Sequence, residues 1–428
     1  MKYNVYLTFG TMPSLYSEMS VFLDTTPSFL FVRSAGNFDY SCLDKLKHVI
    51  FYYKFTGGDL DYMTDQYKQV RDILIKTKKD DPNAKFIVYI DDSRVQYYLK
   101  PFIEANALDD IIKIIILSEG NASKFMYYNL QENDEVNCAE KWDRLKEKLD
   151  DNDLADIGNY AYWLSTKSNV VYELPYFELL KNNKVPDSYR KKMHVRDFNV
   201  QGMFNKLKQT QKKHLYSFND IKIDKNKKYL IIMGTNDFGD LGITFAIIEN
   251  LIDQIYDEYA DYTLLYKSHP ISRIEDNAEL LAYFKKKKIT LLPSKIPLEL
   301  MVWEYDNIFV GGFSSSSISL IDPSRVKFIF GPKQGFSKLM YSDEEMKQYN
   351  ILLDQIFAVR LIDYDNRLRK KIDDYNNHLT KRINDYEGKV AELERRLNKI
   401  EEKTKRRGLM GKMRIVKDKL KRRLKWKN

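Results

Sequence analysis

"YTLLYKSHP", residues 262–270, is apolar and β-prone for five residues and then breaks off at a Lys, a Ser, a His and a Pro. A short apolar run that stops at a polar cluster is what a buried parallel strand looks like when its carboxyl end opens onto a site. Two other runs end in the same way. "IVYIDDSRVQYY" stops at Asp91 and Asp92, and "IFVGGFSSSSISL" turns through Gly311 and Gly312 into the four serines at 314–317.

The runs belong to a longer alternation. From residue 1 to about 200, "NVYLTF", "FLFVRS", "HVIFYYK", "KFIVYI" and "DIIKIIIL" alternate with stretches able to form helix, which argues for a doubly wound α/β domain. A Lys-rich stretch at 206–228 interrupts the pattern and reads as a linker. A second set follows: "KYLIIMGT", the helix candidate "ITFAIIENLIDQIYDEYA", "YTLLYK", "ITLLP", "NIFVGG" and "VKFIFG". The expected architecture is therefore two Rossmann-like domains, 1–200 and 201–336, facing a cleft where the strand ends converge. A helical return segment is expected at 337–363.

The totals agree with a folded chain carrying a separate polar appendage. The 428 residues are 43% hydrophobic and 14% aromatic, yet 31% charged, above the usual quarter. Residues 403–428 hold thirteen Lys and Arg against one acid, Asp418; that net of +12 exceeds the +9 of the whole chain. The remainder is slightly acidic. Two cysteines, Cys42 and Cys138, are too few for a disulfide framework and suit a reducing cytosol. The opening "MKYNVYLTFG" alternates like a strand rather than a secretory leader, and the longest apolar runs are strand-sized.

Beyond residue 363 the pattern changes. Leu368, Ile372, Tyr375, Leu379, Ile383, Tyr386, Val390, Leu393, Leu397 and Ile400 recur every three or four residues among dense charge, a long helix at 364–403 with a coiled-coil seam and one stutter. Two readings fit: a homo-oligomer formed through the seam, or a helix lying on its own globular body. In the tail, 404–428, Leu409, Met413, Val416, Leu420 and Leu424 share one face, with basic residues around them and Trp426 near the end. A basic amphipathic helix suits an anionic membrane surface. Nucleic acid rewards the same charge by counterion release but has no use for the apolar stripe.

Each polar cluster has a chemical reading beside a plain one. A glycine turn into a helix start presents free N–H groups and a positive dipole end to a phosphate, whereas a single serine there is simply an N-cap. His269 is either a structural histidine or a donor to a phosphate near neutral pH, its direction held by Pro270. Paired aspartates at a strand end cap a helix, bind a metal, or take a proton from an attacking hydroxyl. With no third carboxylate or histidine at ligand spacing, no metal is expected.

These residues resemble, in family order, the motifs of the bacterial sialyltransferases of glycosyltransferase family 80, which have the GT-B fold and use CMP-sialic acid. The family's "YDDGS" is similar to "IDDSR" here, its "KGHP" to "KSHP", and its glycine-serine motif to "GGFSSSS". "VYLTFGTMPSL" and "YWLSTKSNVVYELPYFELL" also resemble family segments, so the likeness covers roughly residues 3–360. It implies Asp92 as the base that deprotonates the acceptor, with Asp91 beside the acceptor. It further implies that His269 binds the CMP phosphate with Ser315 and Ser316, and that Glu299 binds the ribose. Lys267 and Pro270 would lie beside the nucleotide, and Phe238 would stand where the family has an acceptor-facing Trp.

Two positions depart from that pattern. Ser93 replaces a glycine, and Phe238 lacks the indole N–H. The expected activity is inverting, metal-independent transfer of sialic acid to a cell-surface glycan hydroxyl by an enzyme on the cytoplasmic face of the membrane. A transferase using another CMP-activated acid such as Kdo, and a non-catalytic coiled-coil protein binding nucleic acid or membrane, are the alternatives.

Overall fold

The computed structural model describes residues 1–33, 37–55, 60–92, 95–118, 136–140, 142–143, 160–174, 191–210, 215–234, 245–268, 277–294, 296–313, 321–331, 360–363, 386 and 388–400. The chain divides into two compact units, Met1–Asp363 and Tyr364–Asn428.

The first sheet of the larger unit has seven strands, all parallel: β1 (Lys2–Thr8), β2 (Ser28–Arg33), β3 (Val49–Phe55), β4 (Lys85–Asp91), β5 (Ile111–Leu117), β6 (Val170–Glu173) and β7 (Val195–Arg196). They lie in the order β3-β2-β1-β4-β5-β6-β7. Strands covered on both faces must be apolar at successive positions, which is why β1 is buried from Tyr3 to Thr8 and β2 from Ser28 to Val32. Helices α1 (Thr11–Leu23), α2 (Leu60–Asp80), α3 (Val95–Glu104) and α4 (Tyr160–Ser165) belong to this half of the unit. The order turns back at β1, from which the chain runs to β2 and β3 on one side and returns to β4 on the other. The switch point is the gap between the carboxyl ends of β1 and β4.

The second sheet repeats the design with β8 (Tyr229–Met233), β9 (Thr263–Lys267), β10 (Thr290–Leu291), β11 (Ile308–Phe313), β12 (Val326–Gly331) and β13 (Arg360–Asp363). All pairs are parallel, in the order β10-β9-β8-β11-β12-β13, so its switch point lies between β8 and β11. Every residue of β8 is buried. Arg360–Asp363 form an edge strand where the sequence suggests a helical return, because they complete the ladder along β12.

Helix α5 (Val200–Gln209) and the segment after it join the two halves. Asn199 caps the helix by accepting from Gly202 N at 2.9 Å, and Phe204 touches both Tyr216 and Trp303. The expected linker is thus partly ordered. Asp39 N donates to Leu215 O and Ser217 N to Asn37 O, both at 2.9 Å, so Leu215 and Tyr216 are buried despite their Lys-rich surroundings. Among the described residues, no helix is long and apolar enough to cross a membrane.

Candidate active site

Asp91 ends β4 and Asp92 follows it, at the first switch point. Asp91 is fully buried, and its Oδ2 accepts from Phe9 N at 2.6 Å, Gly10 N at 2.7 Å and Tyr98 Oη at 3.3 Å. Gly10 is the N-cap of α1 and has no side chain to satisfy the free N–H groups there, so a carboxylate from β4 does so. Asp91, expected beside the acceptor, thus holds the β1–α1 turn through one of its two oxygens.

Asp92 is 7% exposed, and its Oδ2 accepts a 2.8 Å hydrogen bond from Tyr172 Oη. Tyr172 sits on β6, two strands from β4, and is fully buried. Sequence reasoning missed it: the segment holding it carried a resemblance, but nothing in it marks a tyrosine as an aspartate's partner. The next residue, Glu173, is also buried, and its Oε1 accepts from Tyr16 Oη at 3.2 Å and from Arg196 Nε at 2.7 Å. Burial raises the Glu173 pKa, with the Arg196 guanidinium opposing that rise. Burial and then the Glu173 charge push the Tyr16 phenol up as well. The carboxylates at the ends of β4 and β6 are therefore held by tyrosines, backbone and a guanidinium.

One strand from the second switch point Lys267 ends β9, buried, with Nζ donating to Ser294 O at 2.7 Å. This bond ties β9 to the loop before α8 (Leu298–Glu304), the seventh helix being α7 (Ala278–Lys286) and the sixth α6 (Phe245–Tyr256). Glu299 lies in the first turn of α8 and is 2% exposed. Ser268 Oγ is buried and has no hydrogen-bond partner among the described residues. Buried hydroxyls are nearly always paired, so this one keeps free hydrogen-bonding capacity beside the candidate phosphate histidine.

The glycines after "IFV" are required by geometry. Gly312 has φ +122°, and a Cβ there would come within 2.5 Å of Met233 O on β8. A Cβ on Gly311 would meet the Phe328 ring at the same distance. Bare backbone is what lets β11 lie against β8 at the switch point. Phe238, His269, Pro270, Ser315 and Ser316 lie outside the described residues. Among those described, no group of three His, Cys, Asp or Glu side chains is placed to hold a metal ion.

Two all-parallel Rossmann-like sheets in one chain, each with polar residues at the carboxyl ends of its strands, define the GT-B fold. Solved structures bear this out. The α/β-galactoside α-2,3-sialyltransferase of Photobacterium phosphoreum aligns with TM-score 0.63 and 15% identity over 84% of this chain and 98% of that one. The 2,6-sialyltransferase of Photobacterium sp. JT-ISH-224, in a ternary complex with CMP and lactose, aligns with TM-score 0.64 and 14% identity over 85% of this chain and 78% of that one. The GT-B domain of a Photobacterium damselae sialyltransferase gives TM-score 0.53 and 16% identity over 82% of this chain and 97% of that one. No protein-family model matches the chain, and no curated protein matches its sequence.

Proposed function

We propose that the chain is an inverting sialyltransferase of the family 80 type, moving sialic acid from CMP-sialic acid to a glycan hydroxyl. The observation that carries this reading is Asp92, a buried carboxylate at the first switch point, oriented by Tyr172 and kept apart from the structural role of its neighbour. The order of the strand-end motifs and the shared fold support it. In the step proposed, the acceptor oxygen attacks the anomeric carbon from the face opposite the nucleotide and gives its proton to Asp92. The bond between that carbon and the phosphate oxygen breaks, and CMP leaves with the electron pair. His269, Ser315 and Ser316 stabilise the charge on the departing phosphate, Ser268 adds a hydroxyl, and Glu299 takes the ribose.

The test is turnover. Incubated with CMP-sialic acid and a panel of glycans, the protein releases CMP and adds one sialic acid mass to an acceptor; CMP-Kdo in parallel separates the two donors. Asp92→Asn lowers kcat by about a hundredfold or more while CMP binding persists, as expected for loss of a base. If CMP does not bind, or if Asp92→Asn and His269→Ala transfer sugar at the original rate, the reading fails.

We further propose that the tail at 404–428 holds the enzyme to the anionic cytoplasmic face of the membrane, near a lipid-linked or surface-polysaccharide acceptor. Liposomes containing anionic lipid would sediment the full chain and not a chain ending at residue 403. Equal sedimentation of both rules out the anchor.

A further inference from the structure

We infer that the helix at 386–400 pairs in parallel with the same helix of a second copy of this chain, making the protein a two-stranded coiled-coil dimer. The helix displays Tyr386, Val390, Leu393, Leu397 and Ile400 at spacings of four, three, four and three. Tyr386, Leu393 and Ile400 are 57%, 59% and 51% exposed, and Val390 38%. A seam this narrow, two positions in seven, fits a partner helix and is too narrow for the broader face a helix lays on a globular core.

The charges beside the seam choose the partner and its direction. With Val390 and Leu397 at the a positions and Leu393 and Ile400 at d, Lys389 and Arg396 occupy g and Glu394 occupies e. The same register carried through the sequence puts Arg382 and Lys403 at g and Glu387 and Glu401 at e. One flank is uniformly basic and the other uniformly acidic. In a parallel pair each g residue faces the e residue five positions on in the other chain, so Lys389 meets Glu394 and Arg396 meets Glu401 on both sides of the seam. An antiparallel pair sets base against base and acid against acid.

An anionic lipid surface would meet the Glu flank unfavourably, which separates this helix from the basic tail. Val390 at a with Leu393 at d is the two-stranded pattern, whereas Leu397 at a with Ile400 at d is that of three or four strands, so two strands rest on the pairing of the charged flanks and the measured mass decides the number. Within one chain Arg396 pairs with Glu392 at 2.6 Å, but both are well exposed, so that bond is weak and easily exchanged for one across the seam.

Charge reversal in the full-length protein tests this. The unaltered chain should show twice the 50.8 kDa of one copy by light scattering and sedimentation. Lys389→Glu with Arg396→Glu makes both flanks acidic, and Glu394→Lys with Glu401→Lys makes both basic; each variant alone should fall to one copy. Mixed one to one, they restore complementary flanks and should return to two copies. A monomeric unaltered chain, a mass above two copies, reversal variants that stay dimeric, or a mixture that stays monomeric would each overturn the inference. Reversal variants that stay dimeric are also the result of an antiparallel seam, in which like charges already face one another.

Discussion

Asp91 and Asp92 are neighbours in sequence with divergent surroundings. Asp91 is committed to Phe9 N and Gly10 N, and Asp92 meets the phenol of Tyr172. Removing that phenol leaves the carboxylate without one charge-assisted hydrogen bond, worth about 1.5–3 kcal/mol. Tyr172→Phe should therefore lower kcat roughly ten- to a hundredfold with little change in donor KM, measured by CMP release. Gly312 sets the tolerance of the second switch point. Gly312→Ala combines a disfavoured φ with a clash on Met233 O, and should cost about 1–3 kcal/mol or more in denaturant unfolding. The paired aspartates and the paired glycines were legible in the sequence. Which aspartate faces backbone and which faces a tyrosine eighty residues away was not, because the strand order decides it.

Most of the strands announce themselves as unbroken apolar runs, since a parallel strand between two helical layers needs nothing polar along its length. The exceptions are short. β6, β7 and β13 have four, two and four residues, too few for a pattern, and exist because a neighbouring strand offers its free edge. Helix α8 is held by a residue that sequence reasoning passed over. The Arg325 guanidinium donates to Val302 O at 2.6 Å, to Tyr305 O, and through Nε to Ile308 O at 2.9 Å, binding the carboxyl end of α8 to the start of β11. Glu299 depends on that helix for its position. Arg325→Ala should destabilise the fold by about 2–3 kcal/mol, and the folded fraction should show a raised KM for the CMP donor with kcat less affected.

The two sheets are made into one unit by contacts the sequence disguises as a linker. Tyr40 of the first half and Tyr216 of the linker stretch both donate to the buried Glu18 of α1, at 2.5 and 3.2 Å. Lys208 of α5 pairs with Glu304 of α8 at 3.2 Å. Acid sensitivity is set partly by Asp110, which accepts from Lys78 at the end of α2 and from Lys85 at the start of β4. Burial alone would raise its pKa, but the two ammonium groups outweigh burial and hold it below the usual carboxylate value. A folded pKa below the unfolded value of about 3.9 means that this stability is present above that pH and is lost as pH falls through the folded value. Asp110→Asn should therefore cost about 0.5–1 kcal/mol at neutral pH and nothing in strong acid, where urea titrations of the two proteins should coincide.

Apolar runs ending in polar clusters are properties of neighbouring residues, so the two α/β halves and their strand ends follow from local pattern. Distant pairings do not. That Asp91 caps a helix begun eighty residues earlier, that Tyr172 orients Asp92, and that Leu215 and Tyr216 are buried in a lysine-rich stretch all depend on which strands lie side by side. Strand order is set by the packing of helices over whole sheets, and only the folded chain brings those residues within hydrogen-bonding range.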